Sequence, residues 1–425
     1  MVDAKLFRDP VHGYIVLPKE FMALVSTREF QRLRRIRQLG LSFLTYHGAE
    51  HSRFAHSLGV FHLFVRLETE LERKGFKFSE AERLLGRCVG LLHDIGHGPL
   101  SHVLEGVITP DKKHEAWAIE IITAPTEIRC ALENIDPQLP KKICQVLQGD
   151  PKWQLIKNVI SSQLDIDRMD YLLRDALMTG TSYGHFDLAR LLAVLELNDK
   201  GTSLIVNNKG LMAAEQFVFA RYYAYWQIYF HKTTRGAEKV LQMIWKRARE
   251  LFRRDLLPHE LIPASLRSFL ADDWDWEDYL SIDDSDIWIA LKTWQNSTDP
   301  ILSDLSKRIL NRELFKPVKV VESTSVNFLD LLDKIKEILR NNGYDPDYYL
   351  LWDAQSDVAY DYYTSPEEED TSKPPIWVLD RSGTPRDITR LSDSIRAIAG
   401  KRKIVEYFYV PDEKCRSEIE KLVKK

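Results

Sequence analysis

Eight of the chain's 12 histidines fall between His47 and His114: His47, His51, His56, His62, His93, His97, His102 and His114. Neutral imidazole is the commonest metal ligand and a natural acid–base group near neutral pH. A histidine taken alone is more often a surface or hydrogen-bonded core residue, so its neighbours decide. LLHDIGHG sets His93-Asp94 at the C-terminal end of an apolar helical run, just before two glycines. Burying such a pair is costly unless a partner or a cation compensates, and a divalent cation also holds the carboxylate ionised. A bare His-Asp dipeptide is weak evidence. This one is joined by His56 in RFAHSLGV and by the acidic helix start QLDIDRMDYLLRD. In that helix Asp167, Tyr171 and Arg174 lie at i, i+4 and i+7 and so share a face. Such a stripe suits a metal-plus-phosphate pocket. A solvated face with an ordinary Asp/Arg pair explains the spacing equally well, and the His-Asp elements tip the balance. His56, His93, Asp94 and Asp167 then form a mixed N/O set. It suits a divalent metal ion (Mg, Mn, Fe, Ni or Zn) better than a closed structural zinc site. Open positions would take water and a phosphate oxygen, with the cation polarising phosphorus.

The elements around these residues read as mainly α. FRDPVHGYIVLP predicts a turn followed by a short strand. From Pro18 to about Gly75 the apolar spacing is helical, and Ser79-Glu80-Ala81-Glu82 is a capping box opening a helix that stops at the glycines of HDIGHGP. Helical patterns continue from His114 to about Leu197, followed by a hairpin-like LELNDKGTSLIVNN and a helical region from Ala213 to about Arg254. Beyond about residue 315, FKPVKVVES and PIWVLDRSG read as strands, SVNFLDLLDKIKEILRNNG as a helix and SPEEEDTSKPP as an exposed charged loop. The expected organisation is a helical catalytic body over 1–310, with the metal core at about 30–195, and a smaller C-terminal α/β appendage over 315–425.

The bulk composition narrows the function classes. A formal net charge of −4 gives no global argument for nucleic acid or an anionic membrane. Cys88, Cys130, Cys144 and Cys415 are scattered without CxxC spacing, which fits a reducing compartment. The start MVDAKLFRDP is charged where a signal peptide is apolar, and no apolar run is long enough to span a bilayer. A soluble, cytoplasmic protein without a membrane partner is expected.

The order His56, His93-Asp94, Asp167 is the pattern of the HD superfamily. The words around it are more specific: DPVHGYI, QRLRRIRQLG, GAEHSRFAHSLGV, LLHDIGHGPLSH and DRMDYLLRDAL. Over roughly residues 5–310 they resemble the deoxynucleoside triphosphate triphosphohydrolases, both the bacterial enzymes and the vertebrate SAM-and-HD-domain enzyme. The appendage resembles the bacterial branch more weakly, and there is no SAM domain. The resemblance implies an HD-domain helical core that hydrolyses a dNTP to deoxynucleoside and tripolyphosphate, with water attacking the α-phosphorus. It also implies His56, His93, Asp94 and Asp167 as metal ligands, and His97, His102 and His114 as active-site histidines with Glu105 as acidic partner of His102. Gln38 and Leu39 match residues beside sugar and base. Arg53, Arg168, Tyr171 and Asp175 match substrate contacts. Arg221, Tyr225, Tyr229 and Lys232 recur at about every fourth position. By pattern that stripe is an amphipathic core face; the resemblance instead sends Arg221 and Lys232 to phosphates and Tyr229 to the sugar.

A general acid must protonate the departing 5′-oxygen, and His102 is the first choice, with His114 second. The basic run Gln31–Arg37 reads by itself as a solvated helix face. In the family the corresponding helix helps form an allosteric nucleotide site between subunits of a homotetramer. Lys5, Gln31 and Arg34 match that site, with Arg190 completing it from another subunit, so a dGTP/GTP-type or other nucleotide activator is implied. Three departures stand out: Phe230 where the vertebrate enzyme has glutamine near the base, Arg168 for lysine, and Ser26 for the aspartate that reads guanine. The first leaves the substrate's base preference open, the second keeps the charge but changes its geometry, and the third leaves the activator's base open. Two other functions compete: an HD phosphodiesterase on cyclic or oligonucleotides, and a nucleic-acid-binding regulator with a vestigial site. Arg53, Tyr171, Arg221 and Lys232 together favour a triphosphate, and the intact ligand set disfavours the regulator.

Overall fold

The computed structural model describes residues 4–320, 328–358, 360 and 375–423. The chain is mainly helical, with short sheets at its N-terminus and in its C-terminal part. It opens with two strands where the sequence predicts one: Ala4–Asp9 pairs antiparallel with Gly13–Pro18. Alternation explains the hairpin, because Ile15 and Leu17 are fully buried while Leu6, Tyr14 and Val16 face outward. Asp9 Oδ1 accepts from the backbone N–H of Val11 and His12, both at 2.9 Å, and so shapes the turn.

The helical stretch expected from Pro18 to Gly75 is interrupted. Helices span Lys19–Val25 and Arg28–Arg32, a 3-10 turn covers Leu33–Arg35, and a largely irregular segment precedes the long helix Arg53–Arg73. The break follows from Arg32. Its guanidinium is buried and donates to the carbonyls of His97 (2.7 Å) and Ile282 (2.8 Å), pinning the chain there. The basic run is therefore not a uniformly solvated face.

The capping box forms as expected: Ser79 Oγ accepts from Glu82 N, and Glu82 Oε2 accepts from Ser79 N at 2.8 Å. The helix Glu80–Leu92 that it opens packs on Arg53–Arg73, which also packs on Ile166–Thr179. These three helices carry the histidine and carboxylate cluster. The expected hairpin is Leu195–Leu197 with Leu204–Val206. The helical region after it is two helices, Leu211–Ala224 and Lys232–Arg253, joined by a π-helical turn at Tyr225–Tyr229. Such turns often mark functional positions.

In the C-terminal part, Lys316–Lys319 and Leu351–Val358 flank Arg402–Val410 in an antiparallel sheet. The helices Phe328–Asn341 and Glu413–Val423 enclose a small core of Val318, Leu331, Ile335, Phe408 and Ile419 with it. Trp377–Leu379 belongs to a separate sheet, pairing parallel with the Leu204–Val206 strand of the helical body, with Val206 opposite Val378. Arg235 and Asp353 add a bidentate ion pair between the two parts. Of the expected charged loop, residues 365–374 lie outside the described residues. All four cysteines are free, and among the described residues no helix is long and apolar enough to cross a membrane.

Candidate active site

His56 stands in the first turn of Arg53–Arg73, His93 caps the end of Glu80–Leu92, Asp94 follows it, and Asp167 opens Ile166–Thr179. Helix packing brings them together. His56 Nε2 lies 3.0 Å from Asp167 Oδ1 and 3.6 Å from Asp94 Oδ2; His93 Nε2 lies 3.4 Å from Asp94 Oδ1 and 3.6 Å from Asp167 Oδ1. The other ring nitrogens are spoken for. His56 Nδ1 donates to Asp170 Oδ2 at 2.8 Å, and His93 Nδ1 donates to the Gly90 carbonyl at 3.0 Å. That leaves both Nε2 atoms buried, without a hydrogen-bond partner, beside two carboxylates. His56, His93 and Asp94 offer ligand atoms close enough to share one ion, and Asp167 stands beside both imidazoles; this mixed N/O set suits a divalent cation, so the residues present fit the group and could hold it. Burial raises both carboxyl pKa values, but Arg53 beside Asp94, and His56 and His93 beside Asp167, hold them below the usual range.

A second cluster adjoins the first. The rings of His97 and His114 stack at 4.0 Å, and His102 stands edge-on to both. Glu105 clamps two of them: its Oε2 accepts from His102 Nδ1 and its Oε1 from His114 Nδ1, each at 2.7 Å. The sequence reading pairs Glu105 with His102 alone; His114 is its second partner. Burial would raise the Glu105 pKa, yet these two imidazoles hold it well below the usual range, so it stays an acceptor. His97 differs, since burial and the Arg53 guanidinium hold its imidazole well below the ordinary value and keep it neutral. Leu100 and Ser101, between these histidines, both sit in the left-handed region at φ +55. Asp284 accepts from Leu100 N (2.7 Å) and Ser101 Oγ accepts from Arg53 Nε (2.8 Å), which holds the strained turn.

Gly96 lets the two clusters approach. A Cβ there would lie 2.1 Å from the His114 carbonyl oxygen and 2.3 Å from Ala118 N, both backbone atoms. Gly96→Ala is therefore expected to destabilise the protein by about 1–3 kcal/mol, read as a lower urea midpoint. An unchanged midpoint would contradict this packing.

An open cleft of about 1080 Å³ borders both clusters. Asp94, Asp167, His97, His102 and His114 line it together with Arg53 and Tyr171, as do Gln38, Leu39, Tyr225, Tyr229 and Asp175. Arg53 is already paired with Asp94. Asp175 is an organiser: it accepts from Tyr229 OH at 2.7 Å and from His51 Nε2 at 2.8 Å. Other sequence-predicted residues stand elsewhere. Arg168 is buried and bonded to Asp165 and the Ser162 carbonyl. Arg174 is not on the cleft stripe, because its guanidinium is consumed by Asp170 and Asp9. Arg221 packs over the Tyr225 ring at 5.3 Å, and Lys232 opens the next helix; neither lines the cleft. Gln31 Oε1 accepts from Arg34 Nε at 2.9 Å, and Arg34 also covers the Phe54 ring. Lys5 is exposed on the N-terminal hairpin, while Arg190 is exposed and donates to the Lys209 carbonyl.

Sequence reasoning missed Asp170, His51 and Asp165. Asp165 and Asp170 sit in the quoted DIDRMD word, but nothing local shows which acid faces metal, imidazole or arginine.

The family model of the HD domain matches residues 53–174, a span that contains all four proposed ligands, and that of the HD associated region matches 186–343. The uncharacterized protein YwfO of Bacillus subtilis is 39% identical over 414 residues, 97% of this chain and 93% of that protein. The chain belongs to the HD superfamily. Among solved structures, this HD protein is similar to a phosphohydrolase from Bacteroides thetaiotaomicron, with a TM-score of 0.84 at 31% identity over 96% of this chain and 100% of that one. It is related to the superfamily's triphosphohydrolases: the deoxynucleoside triphosphate triphosphohydrolase SAMHD1 of Gallus gallus is 31% identical over 248 residues, 50% of this chain and 39% of that protein.

Proposed function

We propose that this HD phosphohydrolase cleaves dNTPs to deoxynucleoside and tripolyphosphate, in the cytoplasm, as a nucleotide-activated homotetramer. One observation carries the reading: the two carboxylates of the His56–His93–Asp94–Asp167 set and the Glu105-clamped His102 open onto the same cleft. The likeness to SAMHD1 supports the substrate class. When bound, a divalent cation supplies Lewis acidity at phosphorus and eases ionisation of water.

The protein's own groups supply the rest. His102, whose Nδ1–H is held by the Glu105 carboxylate, presents Nε2–H to the departing 5′-oxygen, and Glu105 stabilises the imidazolium until that proton leaves. His97 is a poorer donor because its surroundings keep it neutral. Arg53 lines the cleft beside Asp94 and is the first phosphate contact; Arg235, the other guanidinium lining it, is paired with Asp353. Tyr171 and the Asp175-anchored Tyr229 form a wall against which the sugar would pack.

The purified protein, given each dNTP and several divalent cations, should release tripolyphosphate, and pairs of dNTPs should outperform single ones. Release of pyrophosphate or phosphate instead would defeat the α-phosphorus assignment. Mixtures no faster than their components would remove the activator. Cleavage of cyclic or oligonucleotides with no dNTP turnover would establish the phosphodiesterase reading.

A further inference from the structure

We propose that the turn of the N-terminal hairpin positions the metal ligand His56, with His12 and Asp9 acting through Asp170 and Arg174. The proposal rests on the four-residue set holding a cation and not on the identity of the substrate.

Asp170 is completely buried and accepts four hydrogen bonds, two on each oxygen. Oδ1 takes them from His12 Nε2 (2.7 Å) and Arg174 Nη2 (2.9 Å), and Oδ2 from His56 Nδ1 (2.8 Å) and Arg174 Nε (2.9 Å). Arg174 reaches on to Asp9, donating to Oδ2 at 2.8 Å and to Oδ1 at 3.3 Å. The Asp9 carboxylate also accepts from the backbone N–H of Val11 and His12, so the same group shapes the turn that delivers His12. The chain of contacts is continuous from the hairpin to the imidazole whose Nε2 faces Asp94 and Asp167.

Its consequence is a fixed tautomer and a fixed ring. An ionised Asp170 is acceptor-only, so His56 must keep its proton on Nδ1 to satisfy it, which leaves Nε2 as the nitrogen that can bind a cation. Removing His12 would leave one oxygen of Asp170 short of a donor and allow the carboxylate to rotate, taking His56 with it.

An independent packing feature supports the arrangement. A Cβ on Gly59 would lie 1.8 Å from Asp170 Oδ1 and 2.6 Å from Arg174 Nη2. Gly59 stands on the same helix as His56, one turn on, and the carboxylate occupies the space that any side chain would fill. The helix that supplies the ligand is thus recessed to admit the group that orients it.

The test uses the full-length, metal-free protein titrated with Mn(II), with free ion read by its paramagnetic resonance and the metal-free melting temperature recorded in parallel. His12→Leu and Gly59→Ala should weaken Mn(II) binding by about 10–100-fold, the range known for partners of metal-bound histidine. His12→Gln, whose Nε2 can donate in the same direction, should bind close to wild type. Folded His12→Leu protein with unchanged Mn(II) affinity, whatever its melting temperature, would overturn the proposal and leave the hairpin a purely structural role. A His12→Gln variant as weak as His12→Leu would also overturn it, since the hydrogen bond would then not be the cause. If Gly59→Ala does not fold, the His12 pair decides alone. Wild-type protein that takes up no cation would fail the ligand set itself, a distinct result from failure of the hairpin.

Discussion

Replacing His102 by alanine is expected to lower kcat on a dNTP by about 10²–10⁴-fold while the protein keeps its cation. The His102 ring contacts Glu105, His97 and His114, and no hydrogen bond or ion pair joins it to His56, His93, Asp94 or Asp167. Its side chain is 63% exposed, so truncation opens no cavity in the core and the melting temperature should hold. Glu105→Gln should move in the same direction, because a carboxamide oxygen is a weaker acceptor than the carboxylate that serves His102 and His114 together. Steady-state kinetics and elemental analysis of the same preparation check this. Wild-type turnover in His102→Ala would sink the assignment, and a larger loss in His114→Ala would transfer the acid role to His114.

The second large effect concerns the cation. Asp167→Ala should reduce bound metal to background and turnover below detection, because that carboxylate faces Nε2 of both His56 and His93. In the metal-free protein burial opposes a charge on His56, but Asp167 beside it and the hydrogen bond to Asp170 prevail, and its pKa is pushed up to about 10 from an ordinary 6.5. A cation must therefore displace a proton from Nε2 at neutral pH. Cation affinity should rise about tenfold per pH unit well below 10 and level off near it, for one proton displaced. The same proton stabilises the metal-free fold, fully below pH 6.5, and that contribution is lost as pH rises through about 10. Calorimetry of Mn(II) loading at pH 8, in buffers of different ionisation enthalpy, should report at least one proton released. Loading without proton release, or an Asp167→Ala protein that loads normally, would refute this account.

Several parts of the site were legible because they are local. The Ser79 capping box, the apolar run ending at His93-Asp94, and Asp167 in the first turn of an amphipathic helix all depend on residues a few positions apart. Other signals misled for the same reason. Arg174 shares a helix face with Asp167 by periodicity, yet its guanidinium turns to Asp170 and to an Asp9 that is 165 positions away. The stripe from Arg221 to Lys232 assumed one continuous helix, and the π turn at Tyr225–Tyr229 interrupts it. The basic run hid Arg32, whose burial depends on two carbonyls from distant segments.

The sequence by itself determined where the candidate ligand and acid–base side chains lie and which helices present them, since donor atoms and helix caps are properties of short segments. Only the tertiary structure decided which nitrogen of each imidazole faces the carboxylates. For His56 that choice lies with Asp170, 114 residues along the chain, and a hydrogen bond across that distance exists only once the helices have packed.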